Sequence, residues 1–159
     1  MAKPIKTNAM RMLDRAKIPY ESLEYPVDES DLSGTHIADT VGLPYEMVFK
    51  TLVAKGDKTG PVVFCIPVHL EINLKKVAVA TKNKRVELVA VKDLLALTGY
   101  IRGGCSPIGM KKQFPTFFHT EAEKHEKITV SAGIRGCQLL INRAELISFL
   151  QGTVCDLCE

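Results

Sequence analysis

Val48-Phe-Lys-Thr-Leu-Val-Ala54, then the turn Lys55-Gly-Asp-Lys-Thr-Gly60, then Pro61-Val-Val-Phe-Cys-Ile-Pro67: this stretch decides the fold. Two short apolar runs rich in β-branched and aromatic residues flank a polar turn with a glycine near each end, the signature of a β-hairpin. A hairpin pairs its strands antiparallel, so the evenly alternating plan of a doubly wound parallel sheet is excluded. Pro67 has no N–H to give a ladder, so the second strand is expected to end there or to lie at an edge.

Outward from the hairpin, helices and strands interleave irregularly. A helix is expected from about Thr7 to Lys17, with Thr7 as N-cap, Ala9, Met10, Leu13 and Ala16 at 3–4 spacing, and Pro19 blocking continuation. Tyr20 to Tyr25 reads as a strand. The polar stretch Pro26 to Gly34 is a loop, and Thr35 is the expected cap of a short helix over His36 to Val41, closed by Gly42. Beyond the hairpin come a helix at Asn73–Thr81, a strand at Val86–Ala90 and a helix at Val91–Thr98 ended by Gly99. Strands at Thr116–Thr120, Lys127–Ala132 and Gly136–Ile141 follow, with a helical turn at Glu121–Glu126, and a helix over Arg143–Leu150. Strands both paired by hairpins and separated by helices give an α+β fold: a mixed, strongly curved sheet with helices around it. No repeat or low-complexity segment divides the 159 residues, and residues 1–159 read as a single domain.

The hydrophobic fraction of 46% suffices for a core without disulfides or a structural metal. The net charge of +3 is too mild for an arm-type nucleic-acid binder, yet leaves room for a local basic groove. Lys75-Lys76, Lys82 with Lys84-Arg85, and Lys111-Lys112 could form one, or simply be solvated surface. The opening Met-Ala-Lys-Pro-Ile-Lys-Thr lacks a leader's apolar core, no apolar run approaches the ~18 residues of a membrane span, and the expected compartment is the cytosol. Five irregularly spaced cysteines are expected as thiols there. Cys155-x-x-Cys158 lacks a second pair at zinc spacing and ends the chain, where a mobile tail is expected.

Lys50 is locally the oddest residue, a cation amid the apolar run of the first hairpin strand. It either points to solvent or forms the floor of a pocket that takes a phosphate, carboxylate or ester oxygen. Thr98-Gly-Tyr-Ile-Arg-Gly-Gly-Cys-Ser-Pro-Ile-Gly-Met-Lys-Lys112 is the second candidate. Four glycines and a proline from Gly99 to Gly109 impose a specific backbone whose N–H groups can line an anion-binding concavity. The run matches neither a Walker A loop nor a dinucleotide fingerprint. Ser131-Ala-Gly-Ile-Arg-Gly136 is a second glycine loop, which a hairpin turn also explains. Cys105 could be a nucleophile only if the fold brought a base to it, since His36, His69, His119 and His125 are all remote in sequence.

Phe49-Lys-Thr-Leu52, the Thr98–Lys112 run and Ser131–Gly136, in this order and spacing, resemble the bacterial Cys-tRNA(Pro) deacylases of the YbaK/EbsC type. These belong to the superfamily that includes the editing domain of bacterial prolyl-tRNA synthetases. The resemblance covers nearly the whole chain. It implies a barrel-like mixed sheet wrapped by helices, one pocket, and no cofactor or metal. It implies an enzyme that removes cysteine from mischarged Cys-tRNA(Pro), and also from Cys-tRNA(Cys). The partner implied is the 3′-end of an aminoacyl-tRNA, with prolyl-tRNA synthetase as a further partner, and neither DNA nor a membrane. Editing is needed because size discrimination among small amino acids is weak.

By the same resemblance Lys50 matches the essential lysine, and Gly103 and Pro107 match a G-x-x-x-P signature with Gly104 and Ser106 inside it. Tyr25 falls at a pocket tyrosine, and Gly133 and Arg135 on the second loop, with Gln138 just after it, complete the substrate-binding set. Two positions depart from the family: Ser33 stands where a pocket aromatic is expected, and Gln138 where an aspartate is common. The implied mechanism uses the substrate's own thiol, which attacks the ester carbonyl and expels the tRNA 3′-end. Water-mediated removal of another small amino acid such as alanine, a non-catalytic aminoacyl-nucleotide-binding module, and a thiol enzyme using Cys105 are the alternatives.

Overall fold

The computed structural model describes residues 6–159. Residues 1–5, part of the stretch read above as lacking a leader, lie outside it. The chain runs through α1 (Asn8–Arg15), β1 (Tyr20–Glu24), α2 (Gly34–Val41), a 3-10 turn at Tyr45–Met47, β2 (Phe49–Gly56) and β3 (Gly60–Pro67). It continues through α3 (Leu74–Thr81), β4 (Val86–Leu88), α4 (Val91–Thr98), β5 (Thr116–His119) and a 3-10 turn at Thr120–Lys124. The last elements are β6 (Lys127–Ser131), β7 (Cys137–Asn142), α5 (Arg143–Leu150) and β8 (Thr153–Cys155).

The expected hairpin forms: β2 and β3 pair antiparallel from Phe49↔Pro67 to Gly56↔Gly60. Pro67 ends its strand, but β3 is no edge, because β5 pairs with it in parallel on the other side. The α+β class holds, with helices packed around mixed strands. The strands, however, divide into two sheets instead of one continuous barrel-like sheet. One has the order β1-β7-β6 and the other β4-β2-β3-β5-β8. An isolated parallel bridge, Val48↔Thr129, joins them. The two sheets meet only at that bridge, and β4 takes the same edge of β2 further along, at Ala54–Gly56.

The main core lies against Phe49, Val53 and Val63 of the larger sheet and Ile128, Leu139 and Ile141 of the smaller, with Leu13 of α1 and Leu146 of α5. A second core sits on the other face of the larger sheet, where Ala54, Phe64 and Ile66 meet Val77 of α3 and Leu157. Lys50 has the parity of Leu52 and Ala54 on β2 and is half-buried.

Two local expectations need correction. The cap of α2 is Ser33, whose Oγ accepts the His36 N–H at 3.4 Å, so Thr35 lies inside the helix. Asp31 Oδ1 accepts the Ser33 N–H and presets that turn. The C-terminal segment, expected as a tail, is part of the fold: β8 pairs in parallel with β5, and Leu157 and Cys158 are buried. The Leu157 N–H donates to His119 Nδ1 at 3.1 Å, Asn73 N–H donates to Leu157 O at 2.8 Å, and Lys76 Nζ donates to Cys158 O at 2.7 Å. Backbone pairing and burial outweigh the usual fraying of a chain end.

Leu157→Ala should therefore lower the unfolding free energy by about 2–5 kcal/mol, the usual range for a buried leucine. Urea unfolding followed by far-UV circular dichroism checks this, and a loss near zero would restore the tail to a peripheral role.

Candidate active site

The open stretch of β2 makes the site. In the hairpin, Val68 N–H donates to Val48 O. The alternation of an antiparallel ladder then turns the backbone groups of Phe49, Thr51 and Val53 toward the opposite edge. There Val53 O accepts from Val89 N–H at 2.9 Å. Between that bond and the Val48↔Thr129 bridge, the edge around Thr51 has no strand neighbour. A cavity of about 620 Å³ fills the gap, a size suited to a small-molecule group.

Lys50 lines this cavity and makes no ion pair or side-chain hydrogen bond among the described residues. Gly103 lines it too, at φ +85, a conformation that favours glycine. Its N–H donates to no group among the described residues, whereas the neighbouring Gly104 N–H is held by Ile101 O at 3.0 Å. Gln138 completes the far wall. It is buried, and its Oε1 accepts from Thr129 Oγ1 at 3.2 Å. Ser33 stands at the rim. The structure thus gathers Lys50, Gly103, Gln138 and Ser33 from four distant parts of the chain.

The other anticipated residues support the wall from behind. Gly104 is buried against the second glycine loop: a β-carbon there would come within 3.0 Å of both Arg135 N and the Ile134 carbonyl carbon. Arg135 Nε donates to Arg102 O at 2.9 Å and ties the two loops together. Gly133 faces the ring of Tyr100, whose hydroxyl donates to Ile108 O at 2.6 Å. Ser106 and Pro107 are buried below the loop, where Ser106 Oγ accepts the Ile108 N–H at 3.2 Å. Tyr25 lies in a small adjoining crevice with Arg135 and Asp31, on the other side of Leu32 and Gly103.

Thr51, His69 and Glu71 also line the cavity, and of these sequence reasoning named only His69, as a histidine remote from Cys105. Thr51 sits within the quoted Phe-Lys-Thr-Leu run, but nothing in the sequence signals His69 or Glu71, which follow the strand end at Pro67. His69 is the histidine that the fold does bring to the cavity holding Cys105. It rests against Tyr45, with ring centroids 5.9 Å apart, and is exposed. No hydrogen bond links it to Cys105 among the described residues. Burial pushes the Cys105 thiol up to about 12, against a smaller opposing effect of the Thr98 side chain. Cys65 is likewise pushed up to about 12 by burial. Neither carries thiolate at neutral pH.

The model of the aminoacyl-tRNA editing domain family matches residues 34–149. The chain belongs to this family. An Enterococcus faecalis protein provisionally named Cys-tRNA(Pro)/Cys-tRNA(Cys) deacylase EbsC is 49% identical over 152 residues, 96% of this chain and 93% of that protein. Among solved structures, one described as a candidate trans-editing enzyme for prolyl-tRNA synthetase superposes with TM-score 0.82 at 20% identity. The alignment covers 98% of this chain and 99% of that one. A second, of a protein without assigned function, gives 0.85 at 18% identity over 94% and 97%. Both support the editing-domain fold.

Iodoacetamide at pH 7.5 should leave Cys105 unmodified in the native protein, although it borders the cavity, and should label it on unfolding. Mass mapping of the labelled peptides checks this, and rapid native labelling of Cys105 would contradict a neutral thiol.

Proposed function

We propose that this protein is an aminoacyl-tRNA deacylase that removes cysteine from mischarged Cys-tRNA(Pro), with Cys-tRNA(Cys) as a second substrate. Family membership and the 49% identical relative support the reaction class. The observation that carries the site assignment is Lys50: a half-buried cation on the cavity wall, unpaired among the described residues. A lysine with no partner across the described residues is positioned to meet charge brought by a ligand.

The chemistry needs no protein nucleophile. The substrate cysteine's sulfur forms a bond to its own carbonyl carbon as the thiol proton leaves. The ester C–O bond then breaks, and the 3′-oxygen of the tRNA takes up a proton. Intramolecular attack gains from high effective molarity once the reacting atoms are held close. Negative charge develops on the carbonyl oxygen, and the Gly103 N–H is the available donor for it. One such donor is worth roughly 3 kcal/mol. Lys50 orients the aminoacyl ester or the terminal phosphate. The Gln138 amide, in place of a carboxylate, holds the substrate's amino end by hydrogen bonding without a counter-charge.

Gly104, Ser106, Pro107, Gly133 and Arg135 fix the loop that presents Gly103, and Tyr25 backs that loop from the adjoining crevice. Selection of the tRNA falls to prolyl-tRNA synthetase, which makes the error and would hand over the product in the cytosol. The modest charge of +3 fits a domain that contributes little tRNA discrimination of its own.

Lys50→Ala should slow single-turnover deacylation of Cys-tRNA(Pro) by about a hundredfold, on the scale of one lost polar contact in the transition state, with the melting temperature unchanged. Full activity in that variant would remove Lys50 from the mechanism.

A further inference from the structure

A cavity of about 620 Å³ has room for an aminoacyl nucleoside and no more, so on the deacylase reading the rest of a tRNA must leave through its mouth. The mouth has three sides, and their charges differ. The loop before α2 carries exposed Asp28, Glu29 and Asp31. The side at Glu71 is joined to the C-terminus through Glu159 N–H to Glu71 O, and Asp156 in the same segment is offset by its ion pair with Lys76 at 2.8 Å. The third side is formed by β4, α4 and the start of the glycine loop. Arg102 lines the cavity there, Lys92 stands exposed on α4, and Lys111 Nζ reaches Ala96 O at 3.4 Å. Glu87 and Asp93 are its carboxylates. A polyanion is repelled most by the first side and is accommodated best by the third, where Lys92, Arg102 and Lys111 outnumber the two carboxylates.

The same side is unusually apolar. Leu88 is 48% exposed, Val91 62%, Leu95 53% and Ile101 46%. Leu88 and Val91 belong to the cavity wall, and Leu95 continues from Val91 one turn along α4. Leu94, by contrast, turns inward to the core. An aliphatic ridge continuous with the cavity and edged by cations has the chemistry for unpaired nucleotides: apolar surface for the base faces and positive charge for the phosphates.

We propose that this face of α4 seats the single-stranded 3′-terminal nucleotides of the tRNA as they leave the cavity. Their bases lie along Val91, Leu95 and Ile101, and their phosphates lie toward Lys92, Arg102 and Lys111. The inference rests on the deacylase reading and extends it from the reacting group to the strand that carries it.

The test compares two substrates, Cys-tRNA(Pro) and 3′-O-cysteinyl-adenosine, with wild type, Leu95→Ser and Lys111→Gln. Leu95 and Lys111 lie outside the cavity wall, and melting temperatures confirm that both variants fold. Leu95→Ser should lower kcat/KM on the tRNA about fivefold or more, the scale of an apolar side chain partly covered by a ligand, with less than a twofold change on the nucleoside. Lys111→Gln should reduce the salt dependence of kcat/KM on the tRNA by about one phosphate contact. Variants equal to wild type on both substrates overturn the docking face and leave the deacylase standing. Equal losses on both substrates show a distorted site, and also overturn it. A loss seen only in pull-down of a protein partner assigns the ridge to protein and overturns it as well. Wild type inactive on both substrates overturns the deacylase reading and this inference together.

Discussion

The unpaired edge of β2 is the constraint on which the rest depends. The hairpin satisfies one edge of that strand along its full length. The other edge is closed only at its ends, by the bridge at Val48 and the short register at Ala54–Gly56. An unpaired strand edge inside a fold must be covered, paired or used. Here it opens on a cavity, with Lys50 and Thr51 on its wall and the glycine loop opposite. The same gap that prevents the two sheets from closing into one barrel provides the space for a ligand.

The two glycine loops turn that gap into a shaped site. Each fills the other: Gly104 admits the Ile134–Arg135 backbone, Gly133 admits the Tyr100 ring, and Arg135 bonds Arg102 O. Glycine is required where backbones approach within van der Waals contact. The position of the Gly103 backbone on the cavity wall is thereby set by the packing of the two loops. This gives most of the family signature a structural job, and leaves few side chains to touch a substrate.

Much of this was legible in the sequence where local chemistry decides. The hairpin, the helix at Val91–Thr98 with Gly99 behind it, and the helix at Arg143–Leu150 follow from turn and capping residues that act within a few positions. The failures were non-local. Ser33 and Thr35 are both credible caps, and only the turn anchored by Asp31 favours Ser33. The strand at Thr153–Cys155 is too short to signal itself and is stabilised by β5, His119 and Asn73. The division into two sheets depends on β6 meeting β2 only at Val48↔Thr129, a contact between strands distant in sequence that no local pattern specifies. Lys50 is odd in the sequence, and only the open edge of β2 brings it to a cavity wall. His69 and Glu71 reached the cavity with no sequence signal at all.

The central claim is that the site shapes a substrate carrying its own nucleophile. Single-turnover deacylation of Cys-tRNA(Pro) beside Ala-tRNA(Pro) by the wild-type protein tests it most directly. The account predicts rapid release of cysteine and retention of alanine, since only cysteine brings a thiol to the carbonyl. Equal rates on the two would contradict it, and would require an attacking water instead.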